Sequence, residues 1–414
     1  MNAEDETARR AIAGLDRDEK SIGTLLDIHD PRAWLALDLG VRAIGLSWYD
    51  RLPSDSRILH AATRGEWALG VALCHPDGRI REAALRSVTV SPALLPLMAV
   101  RCADWAAPVR ERARGLLRAA LPGLSPETLT ILTAVALRVA GRSHGGPVRD
   151  LVEEALLRAP DETIEALLTS GDRATRRLGL GIALDRGLFS ALRLARTAAK
   201  DSDVVIQDLC ASAAIAALPG AGDGESEIIG LLLGSRQPRV RSAGVTALNR
   251  LDRPGEAAPF LADRSTLVRA CARWVLRRHG TDPLPLYRAM CADVPERHPA
   301  AAAGLGECGT RADAAVLWPL INHPSPPVRA HAVAGLRTLD VVATDRITGL
   351  IDDPSPAVVR EVTRALLPSA DRLPQEWLQE RRAAWQPRHV RVAADRLLRA
   401  RERMLPHPSS PSGV

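Results

Sequence analysis

The chain has 414 residues, of which 46% are hydrophobic, 25% are charged and only 3% are aromatic. This composition excludes a disordered chain, a collagen and a disulfide-rich scaffold, and the scarcity of rings favours Ala, Leu and Val cores between helices over a β-sandwich. The 55 basic residues exceed the 49 acidic ones, giving a net charge of +6, but all except Lys20 and Lys200 are Arg. A GC-rich genome produces that bias without any nucleic-acid partner.

Residues 1–60 are the least regular part of the chain and are predicted to form an N-terminal helical cap. A short acidic helix opens this segment, and Val41 and Arg42, followed by Gly45 and Trp48, leave open a degenerate first repeat. The first ten residues lack the order of a signal peptide, and no apolar run reaches membrane-spanning length. We therefore expect a cytoplasmic protein without a membrane partner. Its six cysteines form no CxxC pair and are expected to be reduced, small core residues.

A single sequence pattern recurs between residues 61 and 404. Each copy has a short turn rich in Gly, His, Asp or Ser, then an apolar residue followed by Arg, then a helical stretch. We use that apolar residue, or the residue in its place, as the anchor of the copy. Successive anchors are 27 to 39 residues apart. The eleven anchors are Ile80, Val109, Val148, Thr175, Ile206, Val240, Val268, His298, Val328, Val358 and Val390.

Helical periodicity places positions 4, 7 and 8 after each anchor on the same helix face as the anchor. Position 4 is usually small and position 8 is usually apolar, and a second apolar stretch lies between one such helix and the next. A helix pair this short cannot bury its apolar face alone, so it must stack on its neighbours. The predicted fold class is all-α: a right-handed α-solenoid of about eleven to twelve helix pairs over residues 61–404, with a disordered tail at 405–414.

The repeat resembles that of the HEAT family, in the short bacterial form often called PBS-lyase HEAT-like. The resemblance covers about residues 60–400 and implies an array of helix pairs in which the recurring Asp and Arg positions are structural. It rests on a frame of Asp, four residues, Val and Arg. Two copies keep this frame intact: Asp104, Val109 and Arg110, and Asp263, Val268 and Arg269.

Arg follows the anchor in eight of the eleven copies, although a cation in the first turn of a helix opposes the helix dipole. Its recurrence therefore predicts a partner, and the candidate is the Asp or Ser five residues before the anchor of an adjacent copy. We interpret these residues as a structural ladder between helix pairs; the alternative is an Arg stripe that binds phosphates. The predicted ladder consists of Asp104, Arg110, Asp263, Arg269, Arg81, Arg149, Arg176, Arg241, Arg329 and Arg391.

The sequence offers no site for cofactor or metal chemistry. It has neither a glycine-rich loop ending in GK[ST] nor an HExxH motif, and its Cys and His residues are dispersed. His75 and His323 occupy the same turn position in their copies, which favours capping over metal ligation. We predict no enzyme activity, no cofactor and no metal.

The last copy is the most basic part of the chain. Residues 377–403 hold eight Arg against three acidic residues, a net charge of +5. Two Trp residues with Arg between them are able to stack on bases or to grip an acidic partner, and the alternative is a terminal cap with an exposed polar face. The candidate partner-binding residues are Trp377, Arg381, Arg382, Trp385 and Arg388.

The predicted function is that of a non-catalytic scaffold whose concave helix row binds a protein partner. A nucleic-acid-binding array similar to the alkylpurine DNA glycosylases is the alternative, although residues 201–260, with a net charge of −3, interrupt a basic track. A HEAT-like lyase is suggested only by the name of the family.

Overall fold

The chain is built from α-helices and 3-10 helices joined by short turns, and no strand occurs in its described residues. The computed structural model describes residues 21–24, 26–45, 55–63, 65–86, 91–220, 222–293 and 295–404. The all-α prediction is confirmed. None of the described helices is both long and apolar enough to cross a membrane. The predicted tail at 405–414, and residues 1–20 and 46–54 of the predicted cap, lie outside the described residues.

Contacts divide the chain into an N-terminal unit, residues 1–190, and a C-terminal unit, residues 191–414. The described residues of the N-terminal unit form α1 (Pro31–Gly45), α2 (Asp55–Ala62), α3 (Glu66–Leu73), α4 (Gly78–Arg86), α5 (Leu95–Arg101), α6 (Ala107–Ala120), α7 (Pro126–Val139), α8 (Gly146–Arg158), α9 (Asp161–Leu168) and α10 (Arg173–Asp185). From α3 onward the first and second helices of the repeat alternate. Helix α5 packs on both α6 and α7, and α7 packs on both α8 and α9, so the pairs form a stack.

The C-terminal unit continues the alternation. Its described α-helices are α11 (Ala191–Lys200), α12 (Val204–Ala216), α13 (Glu225–Leu233), α14 (Pro238–Arg250), α15 (Thr266–Arg278), α16 (Pro283–Asp293), α17 (Ala301–Cys308), α18 (Ala314–Leu320), α19 (Pro326–Thr338), α20 (Thr344–Ile347), α21 (Pro356–Leu366), α22 (Gln375–Arg382) and α23 (Arg388–Met404). A 3-10 helix, Pro254–Ala262, replaces the first helix of one pair. Four pairs in the N-terminal unit and seven here give eleven in the described residues.

The second helices begin in phase with the anchors. In ten of the eleven copies the second helix starts two residues before the anchor, which is therefore its third residue. Positions 4 and 8 after the anchor are buried in every copy whose burial is described; in α6 they are Ala113 and Leu117. The small residue at position 4 lets neighbouring helices approach closely.

The copy anchored at His298 departs from this register, and the prediction that a helix starts there is wrong. Helix α17 begins at Ala301, and residues 295–297 and 299–300 form turns. A residue that precedes proline is disfavoured in the α conformation, and here Pro299 follows the anchor instead of preceding it. The predicted buried face is kept nonetheless, because Ala302 and Gly306 are both buried.

One recurrent hydrogen bond holds the turn before eight of the eleven described second helices. The side chain five residues before the anchor accepts from the backbone amide two residues later, as Asp104 does from Ala106 at 3.0 Å. His75 and His323 do the same through Nδ1, each at 3.1 Å, so both histidines cap turns. The same bond is made by Ser170, Asp201, Ser235, Asp263 and Asp353.

Helices α17 and α19 pack through glycine. A methyl group placed on Gly335 would collide with the backbone oxygen of Ala302, and one placed on Gly306 would collide with the backbone of Gly335. Gly304 of α17 leaves room for the ring of Tyr287 in α16. No larger residue fits these places unless the helices move apart.

Helix α1 does not follow the register of the repeat. Val41 is the eleventh residue of α1 instead of the third, and the helix packs against α5 and α7. The predicted boundary between residues 60 and 61 lies inside α2.

The six cysteines are free, and four of them are buried in the described core. Burial raises the pKa of Cys74, Cys102, Cys210 and Cys291 to about 12 in each case, which keeps these thiols protonated. They act as small apolar residues, as the sequence predicts.

Candidate functional site

Some of the recurrent arginines are joined to the aspartate of the following copy. Arg81 donates from Nε and Nη2 to Asp104 at 2.8 and 2.7 Å, and its third nitrogen donates to the backbone oxygens of His75 and Pro76. Two-pronged bonds of this kind fix orientation as well as distance. The same arrangement, at 2.8 to 3.0 Å, joins Arg241 to Asp263 and Arg329 to Asp353.

Other predicted ladder arginines make the contact within their own copy. Arg110, Arg176 and Arg269 each donate from Nη1 to the backbone oxygen six residues earlier, at 2.9, 3.0 and 2.8 Å. Gln207 stands where Arg was expected and makes the same contact, to the backbone oxygen of Asp201 at 2.7 Å. In these copies the position after the anchor therefore closes the turn before the second helix, whether it carries Arg or Gln.

Among the described residues, two further predicted ladder arginines make neither of these contacts. Arg149 is half-exposed and pairs with Glu153 of its own helix at 2.6 Å. Arg391, in the last described helix, has a buried Nε without a hydrogen-bond partner among the described residues.

In the N-terminal unit the ladder is part of a buried ion network. Arg81 and Arg101 are both 0% exposed, and Asp104 accepts from Arg101 at 3.1 Å as well as from Arg81. Arg101 also pairs with Asp38 of α1, which ties α1 to α5. The partly exposed members of the network, which pair with these carboxylates, are Arg42 and Arg142.

In the C-terminal unit Arg269 pairs with a glutamate instead of the aspartate in the expected position. The expected aspartate, Asp293, is the last residue of α16. Its side chain is exposed, because no turn of the usual kind precedes α17. Arg269 pairs with Glu307 of α17, and Arg273 donates to the same carboxylate at 2.6 Å and to the Tyr287 hydroxyl at 3.3 Å. Glu307 therefore takes the role that Asp104 has in the N-terminal unit.

The pKa values of several ion-paired carboxyl groups and of one half-buried histidine, His331, are shifted in the same direction. Burial alone would raise the pKa of Asp104, Asp263 and Glu307, but the arginines bonded to them hold each pKa below its usual value. Burial, assisted by the nearby charge of Arg269, lowers the pKa of His331. In the folded chain these groups therefore bind fewer protons than in the unfolded chain.

The free energy of unfolding is expected to fall in two steps as the pH is lowered. In the unfolded chain His331 takes up a proton below about pH 6.5, and Asp104, Asp263 and Glu307 take up protons below about pH 4. In the folded chain these four groups take up their protons only at lower pH. Urea midpoints measured at pH 8, 5.5 and 3.5 test this prediction. A midpoint that is constant from pH 8 to 3.5 would contradict it.

The five candidate partner-binding residues fall in two different settings. Trp377 is half-buried beneath Arg381, whose guanidinium carbon lies 4.1 Å from the centre of the ring. Arg381 also pairs with Asp352 at 2.6 Å and is only 17% exposed. This pair of side chains therefore joins α22 to the preceding copy.

The other three candidates are exposed. Trp385 is 70% exposed in the turn before α23, and Arg382 lies 4.0 Å from Asp395. Arg388, the first residue of α23, lines a groove between α21 and α23. Of the five candidates, Arg388 lines this groove, whereas neither tryptophan does.

The groove between α21 and α23, called here the C-terminal groove, has a volume of about 470 Å³. Its floor consists of Val359, Thr363, Val392 and Ala393. Its basic rim consists of Arg360, Arg388 and Arg396. Local composition does not place Arg360 beside α23, although the register of the repeat does. Arg360 and Val392 both stand two residues after an anchor, and the second helices α21 and α23 of these consecutive copies pack together.

One match to a catalytic motif occurs in the chain, the Gly-x-Ser-x-Gly of residues 141–145. In hydrolases that motif forms a sharp turn between a strand and a helix. Here it forms the turn between α7 and α8, with Ser143 and His144 exposed. The geometry is not that of a nucleophile elbow. Among the described residues, no group of three or more His, Cys, Asp or Glu is placed to hold a metal ion.

Comparisons with known proteins find similarity only at the level of solved structures. No family model and no curated protein matches the chain. Kap121p bound to Nup53p is 15% identical over 78% of this chain and 43% of that chain, with a TM-score of 0.27. A Kap121p mutant is 12% identical over 96% and 54%, with a TM-score of 0.32. An engineered protein is 14% identical over 88% and 98%, with a TM-score of 0.25.

The chain spans about half the length of the Kap121p chains that it matches. At these TM-scores the similarity carries no conclusion about function.

Proposed function

We propose that this chain is a non-catalytic scaffold of the short bacterial HEAT-like type that binds a protein partner in the cytoplasm. We place the partner on the surface formed by the second helices and take these helices as the concave row of the predicted solenoid. The observation that carries the proposal is the exposure of large apolar side chains on those helices. Leu209 of α12, Trp274 of α15 and Val392 of α23 are 41%, 46% and 59% exposed.

Exposed apolar side chains with charged neighbours are typical of protein interfaces. Trp274 lies beside Arg273, Arg277 and Arg278 in a shallow cavity of about 550 Å³. Trp and Arg are the residue types that contribute most to binding at such interfaces, because both bury a large area and keep a polar group for a partner. This cluster on α15 is therefore a suitable anchor point for a protein.

The recurrent arginines favour a protein partner over the nucleic-acid alternative. In Arg81, Arg241 and Arg329 all three guanidinium nitrogens donate to carboxylate or backbone oxygens, and the side chains are only 0%, 8% and 12% exposed. A guanidinium that is bonded in this way has no free donor face for phosphate. The regular spacing of these arginines therefore belongs to the stacking of the repeat.

Site-specific photo-cross-linking in native cytoplasm tests the proposal. A photoreactive benzoylphenylalanine is placed at Leu209 or Trp274 on second helices, and at Glu227 or Gln379 as matched exposed positions on first helices. We expect a discrete protein adduct at least about tenfold stronger from the second helices, because hot-spot contacts are concentrated in one patch.

Nuclease treatment before cross-linking is the control. Adducts that disappear with nuclease would assign the surface to nucleic acid. Equal adducts from first and second helices, or no adduct at all, would also overturn the proposal.

A further inference from the structure

The floor of the C-terminal groove is apolar. Val359, Thr363 and Ala393 are 1%, 3% and 4% exposed. The Thr363 hydroxyl donates to the backbone oxygen of Val359 at 2.6 Å, so its polar group is satisfied within its own helix. Val392, the fourth residue of the floor, is 59% exposed. The volume of about 470 Å³ lies within the range of ligand pockets and is sufficient for apolar side chains of a partner.

The rim of the groove carries positive charge that the described chain does not compensate. No ion pair joins Arg388 or Arg396 to another described residue, and no acidic residue lines the groove. Arg360 lies 3.7 Å from Glu361, but that carboxylate bonds more closely to Arg364, at 2.6 Å. Three guanidinium groups therefore surround an apolar floor and are available to carboxylates of a partner.

The exposed valine of the groove is not required by the repeat. The residue two positions after the anchor is acidic, Arg, Ser or Ala in the other copies, and only the last copy has a large apolar residue there. Val392 is that residue. An exposed valine at a position that is elsewhere polar or small indicates a contact outside the repeat.

We propose that the C-terminal groove binds an acidic segment of a partner protein, with one or two apolar side chains of that segment on the floor and its carboxylates on Arg360, Arg388 and Arg396. This inference rests on the proposed function and names the chemistry of the partner at one place. Burial of the apolar side chains against Val392 provides affinity, and the arginines select acidic flanks. A nucleic acid would use the arginines but leave the apolar floor uncovered, because its backbone offers phosphates.

Fluorescence anisotropy with the full-length chain tests the inference. The probes are labelled nonapeptides with seven glutamates and two apolar residues, Phe or Leu, in every spacing; an all-glutamate nonapeptide and a single-stranded oligonucleotide are the controls. We expect the best peptide to bind at least about tenfold more tightly than either control. Val392→Asp should lower the affinity for that peptide by at least about tenfold, and so should the double variant Arg388→Ala with Arg396→Ala.

Leu157→Asp is the matched control, because Leu157 is 60% exposed on the second helix of another copy and lies outside the groove. It should leave binding unchanged. The inference is overturned if no peptide exceeds the all-glutamate control, if the oligonucleotide binds as tightly, or if Val392→Asp binds normally. If these results occur while Trp274 still cross-links to a protein, the groove assignment fails and the proposed function stands.

Discussion

Replacement of Asp104 by Ala is expected to lower the free energy of unfolding of the N-terminal unit by about 3–5 kcal/mol. Two fully buried guanidinium groups, those of Arg81 and Arg101, share this carboxylate, and each would lose a partner while remaining out of water. Hydrogen exchange measured by mass spectrometry on the full chain reports the loss. Amides of α5 and α6 should exchange at least about a hundredfold faster.

Asp353→Ala is the matched control, because it removes the same two-pronged bond at a more exposed place. Its partner Arg329 is 12% exposed, so the cost is expected to be smaller, about 1–3 kcal/mol. Asp104→Asn keeps the shape of the side chain but removes the charge, and should fall between wild type and Asp104→Ala. A loss for Asp104→Ala no greater than that for Asp353→Ala would contradict the role of the buried network.

The register of the second helices is predictable from the sequence because its causes are local. Three features set the register, and all of them lie within a dozen residues. They are a capped turn, a proline before the anchor, and a small residue four positions after the apolar anchor. The copy at Val109 shows all of these features, and α6 begins where they predict. The failure at His298 is also local, because Pro299 follows the anchor, and the rule for residues before proline would have identified it.

The ion network could not be predicted because its members are far apart in the chain. Arg101 and Asp38 are 63 residues apart, and the pairing depends on how α1 lies against α5. Glu307 is likewise 38 residues from Arg269 and occupies no special position in the sequence pattern. The spacing of the repeat predicts which acidic residue should pair with an arginine such as Arg269. Tertiary packing decides which acidic residue actually lies beside that arginine.

Composition pointed to the region of the candidate groove and to one of its residues, Arg388, but not to the others. The density of Trp and Arg pointed to residues 377–388, where the structure ties Trp377 and Arg381 to Asp352. The groove depends on Arg360, one copy earlier, which no local count includes. Comparing equivalent positions in successive copies finds such residues, because in a stacked repeat they become neighbours in space.

The second large effect is expected from Gly335→Ala, which should lower the free energy of unfolding of the C-terminal unit by about 1–3 kcal/mol or more. The added methyl group would meet the backbone oxygen of Ala302 and a side-chain carbon of Leu317. A backbone oxygen within a helix cannot rotate away, so α17 and α19 would have to separate and expose the core between them. Faster hydrogen exchange of amides in α17 and α19 measures the change.

Gly181→Ala provides a control of opposite sign. Gly181 lies inside α10, and a methyl group there would meet nothing within 4 Å. Alanine reduces the conformational freedom of the unfolded chain, so this variant should gain about 0.5–1 kcal/mol. If Gly335→Ala were also stabilising, the close approach of α17 and α19 would be refuted. Opposite signs for the same substitution would show that close helix contact, and not helix propensity, requires glycine at position 335.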